Sequence, residues 1–324
     1  IVLVSMTSSI VFLFLLWFFL VKYQFGLLSP LFAFIISYSF SSIILFLICK
    51  KHLSLFPNIK EFRIQVLFGL PQIVAAFSYF AIDWIDRFFI NEYLSLGDVG
   101  LYSFGYKISM LIHMIFIIPF SKVWATVRSE NLNNKIDYLS SKMLTYYYLL
   151  GSIISLFVII FIKEFFFIFS KNVDYNEAQY IVPFIIFAHL IYGMINIVDL
   201  GVFKERKPMR KTIIFLAHIP INIFLNFILV PKFGYYGAAI ATLFTYLLLI
   251  LSITFSSNML YKVKYERLNL FIISFVSIIT VFLSMKIIDN DSLLSLNKFL
   301  IFTLLLVFYW YYFKEDIKKI LKWK

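Results

Sequence analysis

Long apolar stretches separated by short polar joins dominate the pattern of hydrophobic positions along this chain. A stretch of about 20 apolar residues is long enough to cross the hydrocarbon core of a bilayer as an α-helix. Because each segment must satisfy its own backbone groups there, the pattern predicts an all-α, polytopic membrane helical bundle. About ten transmembrane helices are predicted, at roughly 1–21, 26–48, 64–93, 99–121, 141–162, 178–203, 211–231, 236–260, 268–288 and 295–313.

Basic residues concentrate in every second join between these spans. Twenty-one of the 29 Lys and Arg residues lie in 50–63, 122–142, 204–211, 262–267 and 314–324, and six lie in the intervening joins and their edges. Short cytoplasmic loops carry this excess of positive charge, so both chain ends are predicted to be cytoplasmic. The net charge of +12 is therefore a topology signal, and nucleic acid is not expected as a partner.

Composition narrows the function classes. The chain is 62% hydrophobic and 14% charged, with a mean hydropathy of +0.92, whereas soluble domains carry about 25% charged residues. The single Cys49 excludes an internal disulfide framework and a cysteine-based metal cluster. The sequence holds no nucleophile elbow, paired-His metal motif or glycine-rich phosphate loop, so we expect neither an enzyme nor a cofactor.

Two carboxylates and a guanidinium interrupt the apolar third span: Asp83, Asp86 and Arg87. Charge at that depth costs at least ~2.5 kcal/mol per residue and usually faces a bundle interior or a water-filled cavity. At 100° per residue these charges share a predicted interior stripe, whose members are Gln72, Ala76, Tyr79, Asp83, Asp86, Arg87 and Ile90.

The predicted depth of Asp86 in the membrane is close to that of Lys107 in the fourth span. Asp86 lies about 12 Å from the outer end of its helix and Lys107 about 13.5 Å along the next one, at ~1.5 Å per residue. One interpretation is a structural ion-pair network with Asp83 and Arg87 paired at i,i+4. The other is a site where Arg87 and Lys107 bind an anionic substrate while Asp83 or Asp86 exchanges a coupling ion.

The seventh span carries His218, Asn222 and Asn226 on one face, at i, i+4 and i+8. Amides within a membrane helix hydrogen-bond either sugar hydroxyls or neighbouring helices, and both interpretations stay open. His113 and His189 have no companion in the sequence and are given no role. The small residues at 237, 238, 241 and 242 predict close helix packing.

Two segments resemble a known transporter family. Asp86-Arg-Phe-Phe-Ile, followed by Asp98-Val-Gly-Leu-Tyr-Ser-Phe-Gly-Tyr-Lys107, resembles the Asp-Arg and "vGlYs-a-k" segment of the oligosaccharide (O-antigen, Wzx-type) flippases. The stretch Asn226-Phe-Ile-Leu-Val-Pro-Lys-Phe-Gly-Tyr-Tyr-Gly-Ala-Ala-Ile-Ala-Thr242 resembles that family's "lN-iLiPk-G--GAAiAT" segment. This family lies in the MATE-like multidrug/oligosaccharidyl-lipid/polysaccharide exporter superfamily.

The resemblance implies a MATE-like fold of two six-helix lobes around a central cavity, with fourteen helices in all. On that scheme 1–63 holds the last two helices of the N-terminal lobe plus a basic interlobe loop. Residues 64–262 form the C-terminal six-helix lobe, and 263–324 hold two additional helices and a basic tail. Four N-terminal helices are missing from this count, so we expect the chain to be an N-terminally truncated fragment.

The resemblance also implies a function and a location. A flippase in the bacterial cytoplasmic (inner) membrane would move undecaprenyl-pyrophosphate-linked oligosaccharide to the outer leaflet by ion-coupled alternating access. Its expected substrate-binding residues are Arg87, Lys107, Asn222 and Asn226, and Asp83 or Asp86 would exchange the ion. Expected partners are the lipid-linked oligosaccharide, membrane lipids, H⁺ or Na⁺, and a polysaccharide polymerase with other assembly proteins.

Three alternatives remain on the sequence. A MATE-type exporter of drugs or other cations is disfavoured by the positive charge expected in the cavity. A lipid II flippase differs mainly in its substrate. A membrane polysaccharide polymerase or acyltransferase is disfavoured because such polymerases carry a large outer loop, and every predicted outer join here is short.

Overall fold

Helices make up almost all of the computed structural model, which describes residues 2–50, 58–132, 136–169, 173–289 and 295–321. Thirteen α-helices lie in these ranges: α1 (Val2–Trp17), α2 (Ser29–Cys49), α3 (Ile59–Tyr93), α4 (Leu96–Ser109), α5 (Ile118–Glu130), α6 (Ile136–Ile160), α7 (Ile162–Phe169), α8 (Val182–Val198), α9 (Leu200–Lys204), α10 (Pro208–Phe233), α11 (Tyr235–Leu260), α12 (Arg267–Asp289) and α13 (Ser295–Leu321). Short π-helices at Phe18–Lys22 and His113–Ile117 and 3₁₀ turns at Gly26–Leu28 and Val173–Tyr180 connect some of them.

The predicted membrane architecture is confirmed. Among the described residues, eight helices are long and apolar enough to cross a membrane, and Thr7–Lys22 is a shorter apolar helix. Helix α13 covers the predicted tenth span. Four boundaries differ clearly from prediction: α3 begins at Ile59 rather than 64, the fourth span continues through α5 to Glu130, α6 begins at Ile136 rather than 141, and α13 ends at Leu321 rather than 313. Charged residues in these extensions are typical of loops, but a helix can continue beyond the apolar core.

The chain divides into two compact units, 1–65 and 66–324. In the first unit α1 packs along α2, and the buried positions of α2 are small: Ser29, Ala33, Ser37 and Ser41. The predicted division of the chain into parts of two lobes and an additional helix pair stays a prediction.

Helix α8 is the centre of the second unit. It packs against α4, α6 and α11, and most of its length is buried. Glycines allow close approaches here: a Cβ at Gly193 of α8 would lie 1.9 Å from the Tyr147 hydroxyl of α6, and one at Gly201 of α9 would lie 2.1 Å from the Ser257 carbonyl oxygen of α11. The segment predicted as one span at 178–203 is divided into a 3₁₀ turn, α8 and α9.

A tight hairpin joins α10 to α11 at Gly234, where φ is +60°. A Cβ at Gly237 would lie 2.2 Å from the Leu229 carbonyl oxygen, and Ala238, Ala241 and Thr242 are fully buried. The close packing predicted from the small residues 237, 238, 241 and 242 is therefore present. It brings the polar face of α10 directly against α11.

Candidate functional site

Asp86 of α3 is the most deeply buried acid of the second unit, with no exposed surface. Its Oδ2 accepts hydrogen bonds from the hydroxyls of Tyr102 on α4 and Thr242 on α11, both at 2.5 Å. Its Oδ1 accepts one from Nδ2 of Asn226 on α10, at 3.0 Å. Three helices therefore converge on one carboxylate through bonds that its charge strengthens. We call Asp86, Tyr102, Asn226 and Thr242 the Asp86 hub.

The polar stripe of α10 extends the hub along the helix. His218, Asn222 and Asn226 are all buried on one face, as their spacing predicts. Nδ2 of Asn226 also lies 3.1 Å from the Asn222 carbonyl oxygen, and Nδ2 of Asn222 donates to Oγ1 of Thr245 at 3.1 Å. In this conformation both amides join helices to one another. Their predicted contact with substrate stays a prediction and requires the helices to separate.

Asp83 lies one turn before the hub and is 7% exposed. The hydroxyl of Tyr106, one turn after Tyr102 on α4, donates to its Oδ1. Two antiparallel pairs, Tyr102–Asp86 and Tyr106–Asp83, thus fix the register of α3 against α4. Tyr79, one turn before Asp83 on α3, stacks its ring on that of Tyr192 of α8, with 4.2 Å between the two ring centroids.

Arg87 does not form the i,i+4 ion pair with Asp83 that one interpretation of the sequence predicts. Its Nη1 donates instead to the Asp83 carbonyl oxygen at 2.8 Å. The guanidinium lies over the rings of Trp84 and Tyr106, 4.7 and 4.5 Å from their centroids. Cation–π attraction holds it there, and no carboxylate oxygen of a described residue lies within 4.0 Å of it. Its other N–H groups have no hydrogen-bond partner among the residues that the structure describes.

Lys107 is exposed on α4, and no hydrogen bond or ion pair among the described residues joins it to the hub. The register of α3 against α4 places it near the level of Asp83, because Tyr106 is its neighbour. The structure therefore brings Asp83, Asp86, Arg87, Asn222 and Asn226 together and leaves Lys107 on an outer face of the same helix pair.

The predicted interior stripe of α3 is partly wrong. Gln72 and Ala76 are exposed. The buried face of α3 before Asp83 is formed instead by Pro71, Ala75, Ser78 and Ile82. The prediction followed the polar residues, and one of them, Gln72, lies on the outward side. From Asp83 onwards the predicted and buried faces coincide at Asp83, Asp86 and Ile90.

Several functional candidates escaped the sequence analysis. Tyr102 and Thr242 are ordinary residues for a membrane helix, and only their neighbourhood to a buried acid gives them a role. His113 and His189, which have no assigned role on the sequence, lie next to each other with ring centroids 5.7 Å apart. Neither ring nitrogen of His189 has a hydrogen-bond partner among the described residues. The available signals were the i,i+4 spacing of Tyr102 and Tyr106 and the position of Tyr102 and Thr242 within the segments that resemble the flippase family.

These features define a class: a polytopic helical membrane protein with charged groups enclosed between its spans. Comparison with solved structures supports the class. "Lipid II flippase MurJ, inward closed conformation" matches with a TM-score of 0.66 and 20% sequence identity. The match covers 96% of this chain and 66% of that one, so this chain spans less than two thirds of its length. At this identity the match establishes the fold.

The sequence also matches a protein family over part of its length. Residues 1–131 match the model of a family described as "Polysaccharide biosynthesis protein". This segment includes Asp83, Asp86, Arg87 and Lys107. No match was found among curated proteins. The family model therefore supports the resemblance to polysaccharide biosynthesis proteins over this segment, and the solved structure supports the fold over almost the whole chain.

Proposed function

We propose that this chain forms part of a flippase that moves undecaprenyl-pyrophosphate-linked oligosaccharide across the bacterial cytoplasmic membrane. The cargo would be a repeat unit of O-antigen, capsule or exopolysaccharide. The observation that carries the proposal is the partnering of Arg87: rings hold its guanidinium, while both nearby acids are bonded to other groups. A cation with free donors suits a pyrophosphate, because the planar guanidinium binds phosphate oxygens in pairs.

Lys107 is the second proposed phosphate ligand. It lies one residue from Tyr106, whose ring contacts the Arg87 guanidinium. An exposed ammonium group on the same helix pair adds positive charge near Arg87 and has no described acidic partner of its own. Asn222 and Asn226 are proposed to contact sugar hydroxyls only after α10 moves away from α3 and α11.

Asp86, with Asp83, is the proposed ion-exchanging group. Entry of H⁺ or Na⁺ at Asp86 would compete with the donors from α4, α10 and α11 and thereby loosen the packing of these helices. This links ion binding to helix movement, as alternating access requires. An oligosaccharide translocation rate that is unchanged when both ion gradients are collapsed would contradict this part of the proposal.

A lipid II flippase is the second candidate, because the matched structure carries that name. Both cargoes end in the same polyprenyl pyrophosphate, so the charged site suits either. A MATE-type cation exporter fits less well because the two charges without a described ionic partner, Arg87 beside the hub and Lys107 on the outer face of α4, are positive.

The test is complementation with the complete gene in bacteria that lack their O-antigen flippase. Surface polysaccharide would be compared at matched membrane levels for wild type, Arg87→Ala and Asp86→Asn. Arg210→Ala and Asp137→Asn are matched controls, because both residues are exposed and lie outside the site. We expect wild type and controls to restore surface sugar and the two site variants to fail. Equal rescue by the site variants would contradict the assignment.

A parallel strain depleted of its lipid II flippase distinguishes the two cargoes. Rescue of surface polysaccharide without rescue of growth in the depleted strain supports the proposed cargo. Rescue of growth alone supports the lipid II alternative.

A further inference from the structure

A cleft runs along the outer side of α11 and α12, away from the Asp86 hub. Its first part is a cavity of about 950 Å³ lined by α6, α8, α11 and α12 and by the segment joining α11 to α12. A second cavity of about 420 Å³ lies between the same four helices, further from that segment. Cavities of about 300–1,000 Å³ hold ligands of several hundred daltons.

The walls of this cleft are apolar and face outwards. On α11, Leu251, Phe255 and Met259 are each about two thirds exposed, and on α12 Ile278 and Phe282 are similarly exposed. Thr242 of the hub lies on the other face of α11. The cleft therefore opens on the face of α11 opposite the hub and is separate from the proposed transport site.

The mouth of the cleft is basic. Lys262, Lys264 and Arg267 line the first cavity and have exposed side chains. No acidic oxygen lies within 4.0 Å of them among the residues that the structure describes. Glu266 adds little negative charge here, because Lys142 pairs with it at 2.6 Å.

Hydrogen bonds hold the segment between α11 and α12 in place at this mouth. The backbone N–H of Val263 donates to Oδ1 of Asn258 at 3.1 Å, and the Ser141 hydroxyl donates to the Lys264 carbonyl oxygen at 2.8 Å. Val263 is buried, so in this non-helical segment its neighbours Lys262 and Lys264 point away from the core. Arg267 opens α12, and a helix N-terminus itself favours anions.

We propose that this cleft binds an anionic phospholipid, with its phosphate at Lys262, Lys264 and Arg267 and its acyl chains along α11 and α12. The segment lies in a join predicted to be cytoplasmic, so the lipid would come from the inner leaflet. Basic pockets between transmembrane helices on the cytoplasmic side bind anionic head groups. The apolar walls then continue from the phosphate in the direction that acyl chains take. This inference does not depend on the proposed transport function.

Native mass spectrometry of the purified full-length protein tests the head-group contact. Phosphatidylglycerol and phosphatidylcholine with identical chains would be compared on wild type and on the triple variant K262Q/K264Q/R267Q. The matched control is R206Q/K207Q/R210Q, which removes the same charge from exposed residues of another join on the same predicted side. We expect wild type and control to retain phosphatidylglycerol in preference to phosphatidylcholine. The triple variant should bind it at least about tenfold more weakly.

A second pair of variants tests the chain contact. Thr254→Trp fills the cleft, whereas Thr303→Trp places the same side chain on an exposed position of α13. Only the first should lower phosphatidylglycerol binding. Equal binding of both lipids by wild type, or unchanged binding in both cleft variants, would overturn the proposal.

Competition identifies the source of the phosphate. Inorganic phosphate in excess should leave the bound phosphatidylglycerol in place, since it lacks the apolar chains. Displacement by equimolar undecaprenyl phosphate would overturn the assignment to a phospholipid and indicate a site for the polyprenyl lipid instead.

Discussion

Removing the Asp86 carboxylate should destabilise the second unit strongly. Asp86→Ala leaves the donors of Tyr102, Asn226 and Thr242 without their shared acceptor in a site with no solvent exposure. Each buried donor left unsatisfied costs about 1–3 kcal/mol, and loss of one partner from a buried charged network costs about 3–5 kcal/mol. Because burial of the Asp86 charge is itself unfavourable, we expect the net loss near the lower limit, at about 3 kcal/mol.

Asp86→Asn should cost less, about 1–2 kcal/mol, for a reason visible in the geometry. Its amide oxygen still accepts from the hydroxyls of Tyr102 and Thr242, but its NH₂ then faces Nδ2 of Asn226. Rotation of the Asn226 amide would present Oδ1, which has no partner in the described chain. That rotation would bring Oδ1 against the carbonyl oxygen of Asn222, so one hydrogen bond is lost either way.

The assay is chemical unfolding of the purified full-length protein in detergent micelles. Asp137→Ala is the control, because Asp137 is exposed in the first turn of α6 and should change the free energy of unfolding little. The expected order of stability is wild type and control, then Asp86→Asn, then Asp86→Ala. If Asp86→Ala were as stable as Asp137→Ala, the hub would not hold these helices together.

Three further predictions follow from single contacts. Arg87→Lys should lower translocation nearly as much as Arg87→Ala at matched protein levels, since an ammonium group has neither the planar face nor the paired donors; full activity of the Lys variant would contradict this. Gly201→Ala should destabilise the protein by about 1–3 kcal/mol, because its Cβ would lie 2.1 Å from the Ser257 carbonyl oxygen. Gly100→Ala, which meets nothing within 4 Å, should be neutral or stabilising in the same unfolding assay. Asp199→Asn should lower the melting temperature, since two cations contact its carboxylate at 2.8 Å; an unchanged melting temperature would mean that these pairs contribute nothing.

The helices were predictable because the length of an apolar run is a direct physical requirement of the bilayer. The ends of the helices were less predictable. The charged start of α3 and the end of α5 follow from helix continuation beyond the apolar core, which hydropathy does not report. The 3₁₀ turn at Val173–Tyr180 packs mainly against α4 and α9 packs mainly against α11, so both depend on contacts with segments distant in the sequence rather than on local composition.

The site was predictable where a residue was unusual by itself. Asp86, Asn222 and Asn226 stand out because polar groups are costly in a membrane helix. Their pairing was not predictable, since Asn226 lies 140 residues from Asp86 along the chain. The hydrogen bond from Tyr102 to Asp86 was equally unpredictable, because a tyrosine in an apolar span does not by itself indicate which group it contacts.

How the charges are partnered matters more than their number. The cluster carries two acids and, with Lys107, two cations, so composition alone suggests a neutral site. In the structure hydroxyl and amide donors hold the acids, whereas ring faces and one carbonyl oxygen hold Arg87. A coupling ion must therefore displace these donors before it reaches the carboxylates, while the guanidinium keeps most of its donors in the conformation seen here. Under the proposed function this arrangement suits an anionic pyrophosphate better than a cationic cargo, because the acids are already bonded and the guanidinium is not.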